Sequence, residues 1–338
     1  MTSIATKIDQ LVFYHHRKIT KFTELNQLAM FFDWNFLSDL KNVLFHNKQI
    51  SSQKKIKKTQ FILSWIDKSP YAKFVNAVYD ANNNIIKQKV ELGDAAIVFL
   101  DIPNLTKGMQ KSTKSKALLL QAKIGSSNST QRVPIYSSKN VSSTSKELAL
   151  YRNWDDFDLY HYSNSKIPQQ QNISFPRWNT KHPPYGWYCV CPRSPNHQWK
   201  SPWMCAPASN GKFFNTTFGK MLVSFFQNNR IYNSSIGDFF QHEPNWPAQN
   251  ISGFFGWDIV INEILAICKI SALPQYIFGN NAGKKSREII SMISIDDVFY
   301  SCDDFGPYFF KTNCRVFEAI TATNKKKFPV LTIIQYDE

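Results

Sequence analysis

The stretch that most restricts how this chain can fold is residues 94–124. Two eight-residue apolar runs, Asp94–Asp101 and Ala117–Ile124, flank a loop of Lys, Ser, Thr and Gly. Gly93 and Pro103 bound the first run and Gly125 closes the second, so both read as buried strands, antiparallel neighbours in a sheet. Three polar residues gather at one end of the pair, away from Asp101: Asp94 opens the first strand, and Gln121 and Lys123 lie near the end of the second. Residues two apart share a face of a strand, so Gln121 and Lys123 point the same way. Symmetric closure about residue 109 sets Asp94 opposite residue 123 or 124. With Lys123 as its partner, all three polar groups converge on one face. A one-residue slip would separate them.

That convergence suits phosphodiester hydrolysis. A carboxylate at Asp94 binds Mg²⁺, which polarises a phosphate and acidifies a bound water. Lys123 orients that water or meets the negative charge that develops on phosphorus. The Gln121 carbonyl is an oxygen ligand without charge, so a further acid should compensate. Glu91, just before Gly93, is one candidate, and Glu24, on an early helix, is the other.

An Asp, a variable gap and then Gln-x-Lys inside an apolar strand resembles the PD-(D/E)xK nuclease superfamily, in the Gln-containing variant of Mrr-like restriction enzymes. The resemblance covers roughly residues 20–165. It implies an α/β (α+β) fold with a restriction-endonuclease-like αβββαβ core around a mixed central sheet, Mg²⁺ (or Mn²⁺) dependence and DNA cleavage, in restriction or defence against foreign DNA. Residue by residue, it matches Asp94 to the metal-binding Asp, Gln121 to the middle position, Lys123 to the catalytic Lys and Glu24 to the acid on the first helix. Leu92-Gly93 stands where the motif's Pro would be. The implied division is a nuclease-like domain over 1–165 and a C-terminal α+β region over 166–338.

Apolar residues recur at helical spacing in IDQLVFYHHRKI and ELNQLAMFFDWNFLSDLKNVLF, which predicts two N-terminal helices, and again in KELALYRNWDDFDLY. FILSWI, AKFVNAVYD, GWYCVC, KMLVSFF and FPVLTIIQY read as β-like pieces, the Ser-rich residues 126–145 as a surface loop, and SNSKIPQQQNISFPRW as a linker or crossing loop.

The net charge of +15 favours a polyanion, and Lys outnumbers Arg 32 to 8. Lys54, Lys55, Lys57 and Lys58 form the basic run expected to contact phosphates. DNA is the expected partner; the reading admits a homodimer and expects no membrane partner. The most apolar stretch, FFGWDIVINEILAICKISAL, is broken by Asp258, Glu263 and Lys269 and reads as a buried helix. Six scattered Cys and no charged-then-apolar leader set a cytoplasmic expectation.

Three rival features carry less. FGNNAGKKSREII has only three residues between Gly279 and Gly283, too few for a phosphate-binding loop. Cys189, Cys191, His197 and Cys205 have the types for zinc, but Cys-x-Cys on a strand equally describes two small residues on one buried face. His15-His16, beside Arg17-Lys18, reads as a solvated helix face. The rival from another class is a basic nucleic-acid-binding or scaffold protein that keeps the fold without cutting.

Overall fold

The computed structural model describes residues 2–45, 57–66, 70–102, 115–125, 141–176, 182–207, 215–247, 253–268, 289–295 and 328–337. The N-terminal periodicity becomes three α-helices, α1 (Ile4–His16), α2 (Glu24–Ala29) and α3 (Trp34–Phe45). The second pattern is two helices rather than one because Asp33 divides it. The Asp33 carboxylate accepts the N–H groups of Asn35 and Phe36 at 3.0 and 3.2 Å, which starts a new helix. His15 and His16 are buried, against the expectation of a solvated face. His15 Nε2 lies 3.0 Å from Asp39 Oδ2, and His16 Nε2 lies 2.9 Å from Gln27 Oε1. Both partners come from later helices, so no local signal announces them.

Strands β1 (Lys57–Ile66), β2 (Tyr71–Phe74), β3 (Val90–Glu91), β4 (Ala95–Ile102) and β5 (Ser115–Ile124) follow, then α4 (Ser143–Asn153), β6 (Phe157–Tyr160) and β7 (Gln170–Ile173). The rest supplies β8 (Gly186–Cys191), β9 (Met204–Pro207), β10 (Thr216–Thr217), α5 (Phe218–Gln227), β11 (Asp238–Phe240), α6 (Gly256–Ile267), β12 (Ile289–Ile295) and β13 (Phe328–Asp337). KMLVSFF, expected as a strand, lies in α5. Seven residues of mostly apolar character fit either period. The Thr217 hydroxyl, accepting Lys220 N–H at 3.3 Å, caps a helix whose buried residues include Phe218, Met221, Leu222 and Phe225.

Among the described residues, nine strands form one mixed sheet in the order β10-β9-β8-β5-β4-β13-β1-β12, with β11 also paired to β5. β4 and β5 are antiparallel, whereas β8 runs parallel to β5 and β13 parallel to β4. A smaller sheet has the order β3-β2-β6-β7. The fold is therefore mixed α/β. The central sheet takes strands from both sides of the 165/166 boundary, with β8 beside β5 and β13 between β1 and β4.

One face of the sheet buries Ala95, Ile97, Leu118 and Leu120 in a core shared with α1, α2, α3 and α5. The other face buries Ala96, Val98, Ala117 and Leu119 with α4, α6 and the smaller sheet. Burial on both faces is why β4 and β5 read as continuous apolar runs. Among the described residues, no helix is long and apolar enough to cross a membrane. In α6 the polar residues have structural work: Asp258 Oδ1 accepts Gln241 N–H at 2.7 Å, and Asn262 Nδ2 donates to Gln241 O at 2.7 Å.

Candidate functional site

Strand β4 meets β5 with Ala95 opposite Leu120, and Asp94 N–H donates to Leu120 O at 2.8 Å. Carried one step further, this register sets Asp94 against Gln121, not against residue 123 or 124 as symmetric closure suggested. The shift from Lys123 is an even number of residues, so the three side chains still share one face. β8 extends the row, because Gln121 pairs with Tyr188 and Lys123 with Val190. Asp94, Gln121 and Tyr188 thus stand side by side on three adjacent strands, with Lys123 one step toward the strand ends.

The contacts are tight. Asp94 Oδ2 accepts the Ala122 N–H at 2.7 Å and is also hydrogen-bonded by Gln121 Nε2. Gln121 Oε1 and Tyr188 Oη are buried without a hydrogen-bond partner. Asp94 and Gln121 are fully buried, and Lys123 keeps 8% exposure.

Sequence reading missed the fourth member. Lys123 Nζ lies 2.9 Å from Glu147 Oε2, and Glu147 itself is buried on α4. A signal existed: Glu147 stands one turn before Tyr151 and two before Trp154, both of them buried. The helix is pinned there, since Tyr151 Oη donates to Leu92 O at 2.8 Å. Gly186 makes room for this ring; a Cβ at that position would lie 2.6 Å from Tyr151 Cε2.

Burial pulls the Lys123 ammonium toward deprotonation, but the carboxylates of Glu147, Asp94 and Glu24 outweigh it and hold its pKa above the ordinary value. Burial, reinforced by the neighbouring acids, pushes the phenols of Tyr151 and Tyr188 well up, so both stay protonated. Glu24 opens α2, which packs on the opposite face of the sheet, and its charge reaches the end of β5. Glu91, in β3, acts on Tyr151 together with Asp94 and Glu147. Among the described residues, no three His, Cys, Asp or Glu side chains come together in a group that could hold a metal.

The remaining expectations place as follows. Lys54 and Lys55 lie outside the described residues, while Lys57 and Lys58 begin β1, opposite Asp337 and Tyr336 of β13. The loop around Gly279 and Gly283 also lies outside. Cys189 and Cys205 face each other across β8 and β9 with Sγ atoms 3.4 Å apart, and Cys191 donates to Lys123 O at 3.5 Å. All three are buried free thiols in the apolar core. His197 instead packs near the rings of His16, Phe13 and Trp199.

The chain matches no family model, no curated protein and no solved structure.

Proposed function

We propose that this protein is a Mg²⁺-dependent nuclease that hydrolyses DNA phosphodiester bonds, with Asp94, Gln121 and Lys123 as its reactive set. The observation that carries the reading is the shared face: an acid, an amide and an ammonium together at the same end of two paired strands, on the face that α4 covers. The element order adds support. Helix α3, strands β1, β4 and β5, helix α4 and strand β8 follow the αβββαβ order that the resemblance implies, and β8 lies parallel to β5. One departure is that β13 stands between β1 and β4.

The donor set fits Mg²⁺ in kind. The ion accepts one or two carboxylates and completes its shell with water and phosphate oxygens, so the absence of a three-acid cluster among the described residues is no obstacle. Asp94 would hold it, and the buried Gln121 Oε1, with no hydrogen-bond partner, is a neutral oxygen ligand in search of one. When bound, the ion supplies polarisation of a phosphate oxygen and a more acidic water. Lys123, kept charged, stabilises the oxygens that gain negative charge as the phosphodiester is attacked. Tyr151 fixes the backbone just before Asp94 through Leu92 O.

One observation favours the second reading, a basic nucleic-acid-binding protein with a sealed polar cluster. Asp94 and Gln121 are fully buried, and Asp94 Oδ2 already accepts two hydrogen bonds. The experiment that separates them is incubation of the purified protein with plasmid and single-stranded DNA in Mg²⁺, Mn²⁺ or EDTA. Cutting that needs the metal supports the nuclease; binding without cutting on every substrate supports the sealed cluster.

A further inference from the structure

We infer that Glu147 is a positioning residue of this site, fixing the Lys123 ammonium next to the Asp94–Gln121 pair; the inference rests on the nuclease reading. The geometry is specific. The two side chains meet at 2.9 Å with Glu147 only 3% and Lys123 8% exposed, so neither can exchange its partner for bulk water. A buried carboxylate on the apolar face of a helix is costly unless a cation meets it, and the buried neighbours of Glu147 include Leu148, Leu150 and Tyr151.

Helix α4 is held so that the contact is reproducible. Ser142 and Ser145 cap each other's backbone N–H groups at its start, at 3.1 and 3.0 Å. One turn beyond Glu147, Tyr151 Oη donates to Leu92 O, two residues before Asp94. The helix that delivers Glu147 is therefore tied to the same strand ends that deliver Asp94.

The charged groups acting on Lys123 come from three elements. Glu147 approaches from α4, Asp94 from the start of β4, and Glu24 from α2 on the other face of the sheet. Asp94 Oδ2 is committed to Gln121 Nε2 and Ala122 N–H, and Glu24 exerts the weakest of the three effects. Glu147 is thus the acid in direct contact with the buried amine. An amine without that contact would not hold one orientation toward a phosphate oxygen. Glu147 itself touches no reacting atom in this arrangement; it acts through Lys123.

The test uses the full chain and two readouts. Glu147→Gln keeps the shape and removes the charge. The kcat of DNA cleavage should fall about 10- to 100-fold with KM unchanged, as when a group orienting a catalytic ligand is lost. NMR of lysine labelled at Cε, recorded at one fixed pH, should show the Lys123 signal shifted or broadened as the side chain loses its single orientation. Glu147→Asp, with a shorter carboxylate, should fall between the two, and it carries the test if the Gln variant does not fold. A wild-type kcat together with an unchanged Lys123 signal overturns the inference. A wild-type protein that cuts no substrate, while Lys123 still shifts in the variant, overturns the nuclease reading and with it the catalytic meaning of Glu147.

Discussion

Strand β5 carries two buried lysines seven residues apart, and they live in opposite electrostatic worlds. Lys116, near its start, donates to neutral oxygens: Phe225 O at 2.8 Å and Asn228 Oδ1 at 2.7 Å, both at the C-terminal end of α5. Burial pulls its pKa down to about 8, against a weak opposing pull from Asp238. Lys123, near the other end and on the other face, is buried too yet stays an ammonium, because Glu147 meets it at 2.9 Å and Asp94 and Glu24 add to that pull. Burial alone tends to neutralise an amine; the number and closeness of acids decide whether it stays charged. Lys116 serves as a helix C-cap. Lys123 is held as an ammonium, the state the proposed phosphodiester chemistry needs.

Under the proposed function, the sharpest way to break that contrast is to remove Asp94. Asp94→Ala should abolish cleavage, a loss of about 10²–10³-fold or more, while leaving DNA affinity intact or raised, because one negative charge is gone. Mg²⁺ binding followed by calorimetry should vanish with activity. Retained Mg²⁺ binding would place the metal elsewhere.

Lys123→Ala comes next. Turnover should fall about 10²–10³-fold with Mg²⁺ still bound, and the stranded Glu147 should cost about 3–5 kcal/mol in urea unfolding. If Lys116→Met lowers kcat as much as Lys123→Ala does, the distinction between the two ends of β5 fails.

Gln121→Glu restores the acid usual at this position in the family that the motif resembles. Set against Asp94, it replaces a donor by a second carboxylate, so the metal-free protein should lose about 1–3 kcal/mol. Mg²⁺ should restore the melting temperature and activity should survive. A variant that stays unfolded in Mg²⁺ would mark Gln121 as a core amide and nothing more.

The last effect concerns Lys116 alone and leaves cleavage untouched. Its folded pKa of about 8 lies below the ordinary lysine value of 10.5, so the folded state prefers the neutral amine. The resulting stability is complete above pH 10.5 and is lost as pH falls through about 8, on the order of 3 kcal/mol in all. Lys123 works the other way, its raised pKa giving stability at lower pH that is lost as pH rises through that raised value. Urea unfolding from pH 7.5 to 10 should therefore show a flatter alkaline profile in Lys116→Met. An unchanged slope would mean that Lys116 is not the group titrating there.

Much of the site was legible because polar residues stood where an apolar run had no use for them. Asp94, Gln121 and Lys123 are conspicuous inside β4 and β5, and period two alone puts the last two on one face. Glu147 was not legible in the same way. It follows Lys123 by 24 residues across a Ser-rich segment, and only the parallel pairing of β5 with β8 tells the intervening helix which strand ends to cover. His15 and His16 fail for a similar reason, as Asp39 and Gln27 lie on other helices. KMLVSFF fails for a different one: seven residues are too few to separate a period of 3.6 from a period of 2.

The amino-acid order by itself determined that β4 and β5 would be buried strands, that helices would open the chain, and which side chains interrupt the sheet. Alternation and hydrophobic burial are local rules, and a short window suffices for them. Tertiary structure alone decided that Asp94 faces Gln121, that β13 separates β1 from β4, and that Lys123 meets Glu147 while Lys116 meets bare carbonyls. Register and charge state depend on partners brought from distant segments, and an amine carries no mark in the sequence of whether an acid or an amide will await it.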